Sequence, residues 1–377
     1  MGDFDVIAVS HGFQPNYEAG FVNGLAEAGV RVCLIGSDTT LVHELDPRVH
    51  MENLRGSQNP SRPRLAKALN MLRYHWRLLS FVRRHPQAVV HVIGLFRAPF
   101  WMGVVESWLM KRWCRRLLVT VHNLLPHNRH TRWNRWVYAR VFRVPQTLVV
   151  HTLRMRDDIE REFGIAPARM IVMEHGIRAL PAPDLAARAG MRAELGLGPD
   201  QVCVLFFGAL SPYKGLDTLL AAFDGTSSQF VLLIAGRFPS DEPAYRSAIL
   251  DCITRHPRAA NIHLHEGYVA ESDVSRYYAA ADVTVLPYRH IDQSGILFQA
   301  LGYGVPVVGF PVGSFSTYLY GERGHVCAES TPQALAVALA EFATPLDPSR
   351  RERIAASARE YLWRHTVSAV MPTYRRD

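Results

Sequence analysis

Short, continuously apolar runs that alternate with helical segments limit this chain to an α/β fold. In the first half the runs are FDVIAVS (4–10), VRVCLIG (30–36), VVHVIG (89–94), LLVTVHN (117–123), TLVVHT (147–152) and MIVMEHG (170–176). Runs of this kind predict strands of a parallel sheet that helices cover on both faces. The alternation restarts at VCVLFFG (202–208) and continues through FVLLIAG (230–236) to PVVGF (306–310). The sequence therefore predicts two doubly wound, Rossmann-like domains.

Length and composition agree with two globular domains. The chain has 377 residues, 48% of them apolar and 20% charged, which is ordinary for a globular protein but long for a single core. Residues 181–200 are rich in Pro, Gly and small side chains, and we interpret them as a linker between domains at 1–180 and 201–350. Residues 351–377 have a charged amphipathic pattern and are interpreted as a C-terminal helix, with the first domain as its expected packing partner.

Cysteine usage and hydropathy favour a cytoplasmic protein. The five cysteines are odd in number and scattered, and no CxxC or Cys/His cluster is present. Neither a disulfide framework nor a metal site is predicted, and a reducing compartment is the expected location. No window reaches the roughly 20 predominantly apolar residues of a membrane-spanning helix.

Residues 51–150 are strongly basic. They hold 18 Lys and Arg against two acidic residues, a local charge of +16 in a chain whose net charge is +8. Four of the seven tryptophans lie between residues 101 and 133. Trp beside Arg and Lys is typical of proteins that bind an anionic bilayer surface, and a nucleic-acid surface is the less favoured alternative. The expected membrane or acceptor surface comprises Arg83, Arg84, Trp101, Trp108, Lys111, Arg112, Trp113, Arg115 and Arg116.

Two segments of the second half have the character of an anion site. In FFGALSPYKGLDTLLAAF (206–223), Gly208 follows a strand and Lys214 stands just before a helix. In SGILFQALGYG (294–304), Ser294 and Gly295 begin an apolar helix whose only strongly polar residue is Gln299. Helix starts offer free N–H groups and a positive dipole end to an anion, and a nearby lysine adds a charge. Taken alone, a loop lysine is more often simply solvated.

Together these segments carry a family resemblance. FGALSPYKGLDTLL, LLIAGRF, HEGYVAESDVSRYYAAADVTVLPY and SGILFQALGYGVPVV resemble the nucleotide-binding domain of retaining glycosyltransferases of family 4. SHGFQPNYEAG, TVHNLLPH, VVHTLRMRDDI and EHGI extend the similarity into the first half. The resemblance implies the GT-B fold, two Rossmann-like domains facing a central cleft. It also implies a nucleotide-sugar donor as substrate, no cofactor and no metal.

The resemblance also implies roles for single residues. Lys214 would bind the donor diphosphate together with Ser294 and Gly295, and Gln299 would contact the ribose hydroxyls. His122 would lie near the donor hexose, although a structural histidine is an equal alternative from the sequence. The expected donor-binding residues are Gly12, Gly208, Lys214, Gly267, Tyr268, Val269, Ser294, Gly295 and Gln299, and the expected catalytic residues are His122, Lys214 and Asp292.

The chain departs from the family pattern at two places. The family's Glu-x7-Glu motif is replaced by Ile291 or the adjacent Asp292, followed by Gln299. An arginine usual after the glycine of the lysine loop is replaced by Ala209, and either Arg237 or Arg289 is a hypothetical substitute.

The expected activity is transfer of a hexose, with retention, from a UDP- or GDP-sugar to a lipid-linked or membrane-associated saccharide in bacterial surface polysaccharide assembly. The protein would then be peripheral on the inner face of the cell membrane, with no nucleic-acid partner. A sugar-nucleotide epimerase of the same fold and a basic nucleic-acid-binding protein stay open as alternatives.

Overall fold

The chain forms two compact units, each with one sheet of its own. A computed structural model describes residues 4–11, 15–59, 61–94, 100–122, 124, 131–178, 180, 185–291 and 293–375, except the side chains at 100, 101 and 185. The first unit comprises Met1–Arg178 and Tyr361–Asp377, and the second comprises Ala179–Glu360.

The first unit is built on a seven-stranded parallel sheet. Its order is β3-β2-β1-β4-β5-β6-β7. The strands are β1 (Val6–Val9), β2 (Val32–Ile35), β3 (His50–Glu52), β4 (Val89–Val92), β5 (Arg116–Val121), β6 (Thr147–Val150) and β7 (Met170–Val172). Along β1, Ile7 and Val9 belong to one core while Val6 and Ala8 belong to another. Burial on both faces is why the strands are continuously apolar.

Helices cover both faces of this sheet. They are α1 (Pro15–Glu27), α2 (Arg64–Arg84), α3 (Phe100–Trp113), α4 (Arg132–Arg143) and α5 (Leu153–Phe163). Side chains of α2 to α5 join the core that holds Ile7 and Val9, whereas α1 joins the core of Val6 and Ala8.

The C-terminal segment completes the core on the α1 side. A Cβ at Gly20 or Gly24 of α1 would lie 2.1 or 2.8 Å from atoms of Trp363, so these glycines let Trp363 lie directly on the helix backbone. The Tyr374 hydroxyl hydrogen-bonds Nδ1 of the buried His91. The chain end is therefore part of the first unit, in two short helices, Trp363–Thr366 and Met371–Tyr374.

The second unit has a six-stranded parallel sheet of order β10-β9-β8-β11-β12-β13. Its strands are β8 (Val202–Phe207), β9 (Phe230–Gly236), β10 (Ile262–Glu266), β11 (Val283–Leu286), β12 (Val307–Gly309) and β13 (Gly324–Val326). Its helices are α6 (Leu185–Glu194), α7 (Leu216–Phe223), α8 (Pro243–Arg255), α9 (Glu271–Ala280), α10 (Gly295–Gly302), α11 (Phe315–Tyr318), α12 (Pro332–Ala340) and α13 (Pro348–Ala358).

The sequence patterns do not predict several of these elements, among them β3, β13 and α6. β3 and β13 have three residues each, lie at sheet edges and are partly exposed, so they have no continuous apolar run. Helix α6 lies inside residues 181–200, which the sequence presents as a linker. Its ten residues belong to the second unit, and their helical pattern is hard to recognise in the sequence because Pro and Gly stand on both sides.

One buried carboxylate holds α6 to its sheet. Arg188 Nη2 and Arg192 Nη1 of α6 donate to Asp282 Oδ1 and Oδ2 at 2.6 and 2.9 Å. The same carboxylate accepts the backbone N–H groups of Cys203 and Leu346, both at 2.8 Å. Four charge-assisted donors therefore compensate the burial of Asp282.

Asp282→Ala should destabilise the second unit by about 3–5 kcal/mol, because it leaves two arginines without their buried counter-charge. The measurement is urea unfolding followed by far-UV circular dichroism. Trp fluorescence does not report the second unit, because all seven tryptophans lie in the first unit. Asp251→Ala, at an exposed position of α8, is the control. A loss below about 1 kcal/mol for Asp282→Ala would contradict this assignment.

Candidate active site

Four loops meet at the carboxyl edge of the second sheet. They follow β8, β9, β10 and β11, which are neighbours in the sheet. Backbone hydrogen bonds tie them together: Leu210 N–H donates to Arg237 O at 2.9 Å, Gly267 N–H to Gly236 O at 2.8 Å, and Arg289 N–H to Tyr213 O at 2.8 Å. Ligands of open parallel sheets bind at this edge.

Glycines allow these loops to approach one another. Gly208 has a φ of 102°, which disfavours other residues. A Cβ at Gly236 would lie 1.7 Å from the carbonyl oxygen of Gly208. Gly215 has a φ of 73°, and a Cβ there would lie 2.1 Å from Pro287 O. The lysine loop is thus pressed against two neighbouring loops.

Lys214 is a buried cation at this edge. It is only 6% exposed, and among the described residues no carboxylate lies within 4.0 Å of its ammonium group. Its Nζ lies 5.3 Å from the centre of the Tyr288 ring and 3.1 Å from where a Cβ on Gly208 would stand. Burial lowers the pKa of Lys214, with the nearby Tyr213 opposing that shift. A desolvated cation without a counter-charge favours an incoming anion.

The start of α10 offers polar groups at the same edge. Ser294 is buried and caps the helix, since its Oγ accepts the Leu297 N–H at 3.3 Å. Gly295 is exposed, and a Cβ added there would meet nothing within 4 Å. In the described part of the chain both amide atoms of the adjacent Gln293 are buried without a hydrogen-bond partner. The helix start is therefore open, positively polarised and next to an unsatisfied amide.

Gln299 has a partner inside the domain. Its Oε1 accepts the Tyr278 hydroxyl at 3.2 Å, and burial holds the pKa of that hydroxyl well above its ordinary value, so it stays a donor. This bond explains how the apolar helix tolerates a polar side chain. The ribose contact implied for Gln299 stays a prediction.

Arg289 and Arg237 differ as substitutes for the charge missing at Ala209. Arg289 donates to Asp217 Oδ2 and to the Pro212 carbonyl, so its guanidinium braces the lysine loop. Arg237 follows Gly236 directly and is exposed, and no carboxylate of the described residues lies within 4.0 Å of its guanidinium. Of the two, Arg237 keeps its charge uncommitted.

Other predicted donor residues also lie at this edge. Gly267, Tyr268 and Val269 directly follow β10, and the Tyr268 side chain is largely exposed. Asp292, Gly12 and the side chain of Trp101 lie outside the described residues, so their expected roles stay predictions.

His122 follows β5 at the carboxyl edge of the first sheet. Its Nε2–H donates to Ile93 O at 2.7 Å, which leaves Nδ1 in the acceptor form. Burial lowers the pKa of His122 to about 4, so the ring is neutral near pH 7. A neutral imidazole can accept a hydroxyl proton in a hydrogen bond but is not a general acid at that pH.

Further histidines gather with His122 around one tyrosine. The Tyr17 ring lies 4.7 Å from His122, 5.6 Å from His151 and 5.3 Å from His175, between ring centres. Burial lowers the pKa of His175 to about 4 and that of His151 well below its ordinary value. Within the described ranges no three His, Cys, Asp or Glu side chains are grouped to hold a metal ion.

Comparison with known proteins agrees with this architecture. Residues 16–179 match the model described as Glycosyltransferase Family 4, and residues 201–344 match that described as Glycosyl transferases group 1. The chain is 26% identical to a D-inositol 3-phosphate glycosyltransferase of Xylanimonas cellulosilytica, over 73% of this chain and 70% of that protein. It is 28% identical to the protein of the same name from Acidothermus cellulolyticus, over 74% of this chain and 68% of that one.

The fold has solved counterparts. The crystal structure of Anabaena Alr3699/HepE in complex with UDP superposes with a TM-score of 0.74 at 16% identity, covering 98% of both chains. The chain is a glycosyltransferase with the GT-B fold. At this identity the structural likeness supports the fold, while the two family models and the relatives support the transferase activity.

The basic region of the glycosyltransferase divides into surface and structural residues. Arg83, Arg84, Lys111 and Arg112 are exposed, as is Trp108. Of the other predicted surface residues, Trp113, Arg115 and Arg116 are only partly exposed. Arg115 donates to the carbonyls of Tyr374 and Arg375 at 2.7 and 2.8 Å, Trp113 packs against the first unit's core, and Arg116 is a half-buried residue of β5.

Sequence reasoning missed a buried acid in the glycosyltransferase. Glu106 of α3 lies 3.2 Å from His11 Nε2 and 3.7 Å from His75 Nε2. Burial by itself raises its pKa, but His11, His75 and Arg55 outweigh that effect and hold the pKa below its usual range. A single Glu in an apolar window gives no sign of partners that are distant in sequence.

Lys214→Met should stabilise the second unit of the glycosyltransferase by about 1–3 kcal/mol, because it replaces a buried cation that has no carboxylate within 4.0 Å among the described residues with an apolar side chain of similar length. Urea unfolding followed by circular dichroism near pH 7 measures this. Arg255→Met, which removes an exposed cation of α8, should not stabilise the unit. An unchanged or lower stability for Lys214→Met would show that Lys214 has its charge compensated in the folded state.

The first unit should lose stability as the pH falls from about 6.5 toward 4. The unfolded chain regains ordinary histidine pKa values near 6.5, whereas His122 and His175 stay at about 4, so only the unfolded state takes up protons in this window. The lowered pKa of each of these two histidines contributes about 3 kcal/mol to the free energy of unfolding, and this contribution is fully present above pH 6.5.

Trp fluorescence during thermal unfolding reports this unit. We expect His175→Phe to reduce the acid dependence, and His43→Gln, at an exposed position, to leave it unchanged. Parallel loss of stability in wild type and His175→Phe would rule out His175 as a source.

Proposed function

We propose that the glycosyltransferase takes its sugar from a nucleoside diphosphate donor whose diphosphate binds at the carboxyl edge of the second sheet. Lys214 carries this proposal, since it is buried there without a carboxylate among the described residues. The positive end of α10 begins at the same edge, so a diphosphate would meet a full charge and a helix dipole together. UDP-sugars are the first candidates because the Anabaena protein was crystallised with UDP, and GDP-sugars are the second.

The proposed chemistry is transfer with retention and without a metal. The bond between the anomeric carbon and the diphosphate breaks, the acceptor hydroxyl oxygen bonds to the same face of that carbon, and the hydroxyl proton passes to the departing diphosphate, on which negative charge grows. Lys214 and the N–H groups before α10 are positioned in advance to stabilise that charge. Arg237 adds a second cation at the edge, in place of the arginine missing at Ala209. In the first unit, His122 offers a neutral acceptor for a sugar or acceptor hydroxyl.

The proposed acceptor is a lipid-linked or membrane-associated saccharide in bacterial surface polysaccharide assembly, with the enzyme peripheral on the inner face of the membrane. Exposed Trp108, Lys111 and Arg112 beside Arg83 and Arg84 support this placement. No described helix has both the length and the apolar character to cross a bilayer. The names of the relatives support a second candidate acceptor, D-inositol 3-phosphate.

A panel of UDP-, GDP- and ADP-sugars tests the donor site. Thermal shift and slow donor hydrolysis should single out one nucleotide, and Lys214→Ala should reduce both affinity and hydrolysis by about 100- to 1,000-fold. Affinity should also fall as the pH rises through the lowered pKa of Lys214, because the diphosphate binds the charged form.

A control variant tests whether the loss of donor binding depends on the position of Lys214 or on the loss of any positive charge. Arg255→Ala removes an exposed cation of the same unit and should leave donor binding unchanged. If Lys214→Ala kept full donor binding and hydrolysis, the diphosphate site would lie elsewhere. With the donor known, the anomeric configuration of the product tests retention. Parallel assays with D-inositol 3-phosphate and with lipid-linked saccharides in vesicles decide between the acceptors.

A further inference from the structure

Helix α2 has a row of apolar side chains that are exposed and do not belong to the core. Its inner face is buried through Tyr74, Leu78, Phe81 and Val82. On the outer face, Leu65, Leu69, Leu72 and Trp76 are 73, 59, 63 and 68% exposed. Spacings of four, three and four residues place them in one row along the helix axis, about 16 Å long.

A polar row runs beside the apolar row with the same spacing. It comprises Arg73, Arg77, Ser80 and Arg84. Residues 64–84 contain six Lys and Arg and no Asp or Glu. Among the described residues no carboxylate lies within 4.0 Å of the Arg77 or Arg84 guanidinium, so both keep their charge available.

A cavity lies where the two rows meet the end of β3. Its volume is about 420 Å³, and Trp76, Arg77, Ser80, Arg84 and Asn53 are among its lining residues. Glu52 also lines the cavity. Its Oε1 lies 2.9 Å from His50 Nε2, so this carboxylate is hydrogen-bonded to the histidine. Two arginines and a serine beside an apolar row match one kind of ligand, an amphiphile with an anionic head.

Charge and side-chain type argue against two other occupants of such a face, a second copy of this chain and a nucleic acid. A second copy of α2 would bring six more positive charges against these six without an acid on either helix. A nucleic acid would match the charge but would leave three exposed leucines without a function, because single strands stack on aromatic rings. Hydrocarbon beside phosphate satisfies both rows.

We propose that α2 docks the enzyme on an anionic bilayer, with the apolar row in the interfacial region and a phospholipid phosphate in the Arg77–Arg84 cavity. This inference deepens the membrane attachment given under the proposed function and names the helix, the cavity and the lipid class. It makes α2, rather than the Trp113–Arg116 segment, the principal contact with lipid.

Vesicle flotation of the full chain tests the docking helix. Neutral phosphatidylcholine vesicles are compared with vesicles that contain about 30% phosphatidylglycerol, at low and high salt. Wild type should float with the anionic vesicles and release in high salt. On anionic vesicles Leu69→Ser/Leu72→Ser should lose at least about tenfold in binding and Arg77→Gln/Arg84→Gln about 30-fold, which brings binding by the arginine variant to the low level that wild type shows on neutral vesicles.

Matched variants control for composition. Leu153→Ser/Val337→Ser removes two apolar side chains that are exposed on other helices, and Arg255→Gln/Arg359→Gln removes two exposed charges of the second unit. Both should bind vesicles as wild type does. Equal binding by all variants, or no binding by wild type, would overturn the proposal. A dimer that Leu69→Ser/Leu72→Ser dissociates, or oligonucleotide binding that Arg77→Gln/Arg84→Gln abolishes, would overturn it in favour of that partner.

Donor binding by the same variants separates this proposal from the donor site. All of them should keep the thermal shift given by the nucleotide-sugar, because none lies at the carboxyl edge of the second sheet. Vesicle binding without any donor shift would contradict the donor proposal and leave the docking helix supported. A donor shift without vesicle binding would do the reverse.

Discussion

Burial of both faces of two parallel sheets is the constraint on which the molecule depends. A strand such as β1 or β9 cannot present a polar side chain to either face without a partner, so polar chemistry is displaced to the loops beyond the strand ends. In the second unit this displacement brings Lys214, the start of α10 and Arg237 to one edge. In the first unit it brings His122, His151 and His175 around Tyr17.

The arrangement at the candidate donor site lowers the stability of the protein and favours the binding of an anion. Lys214 is buried, and the described part of the chain places no carboxylate within 4.0 Å of it, which costs free energy in the unliganded protein and favours the binding of an anion. Gly215 and Gly236 maintain this arrangement because each allows a backbone approach that a side chain would prevent, and Gly208 contributes a φ of 102° that disfavours other residues. Asp282 shows the opposite solution, since four donors compensate its charge and it serves only to join elements.

The basic region illustrates how charge in sequence differs from charge on a surface. Arg115 and Trp113 lie in the segment with the densest Trp and Arg, yet one binds the C-terminal backbone and the other packs inward. The exposed apolar row of α2 lies outside that segment. Its leucines look like ordinary core residues of an amphipathic helix, and only the position of Tyr74 and Leu78 on the opposite face shows that they are exposed.

The sequence by itself determined the fold class, most of the strands and the loops that contain the candidate donor residues, because apolar runs and glycine turns are local signals. It did not reveal β3, β13 or α6, whose residues become ordered through neighbours rather than through their own pattern. Only the tertiary structure decided which charges are paired. Arg289 is bound to Asp217 and Arg188 to Asp282, and these pairs join residues that are far apart along the chain. Lys214, in contrast, is buried with no carboxylate beside it among the described residues.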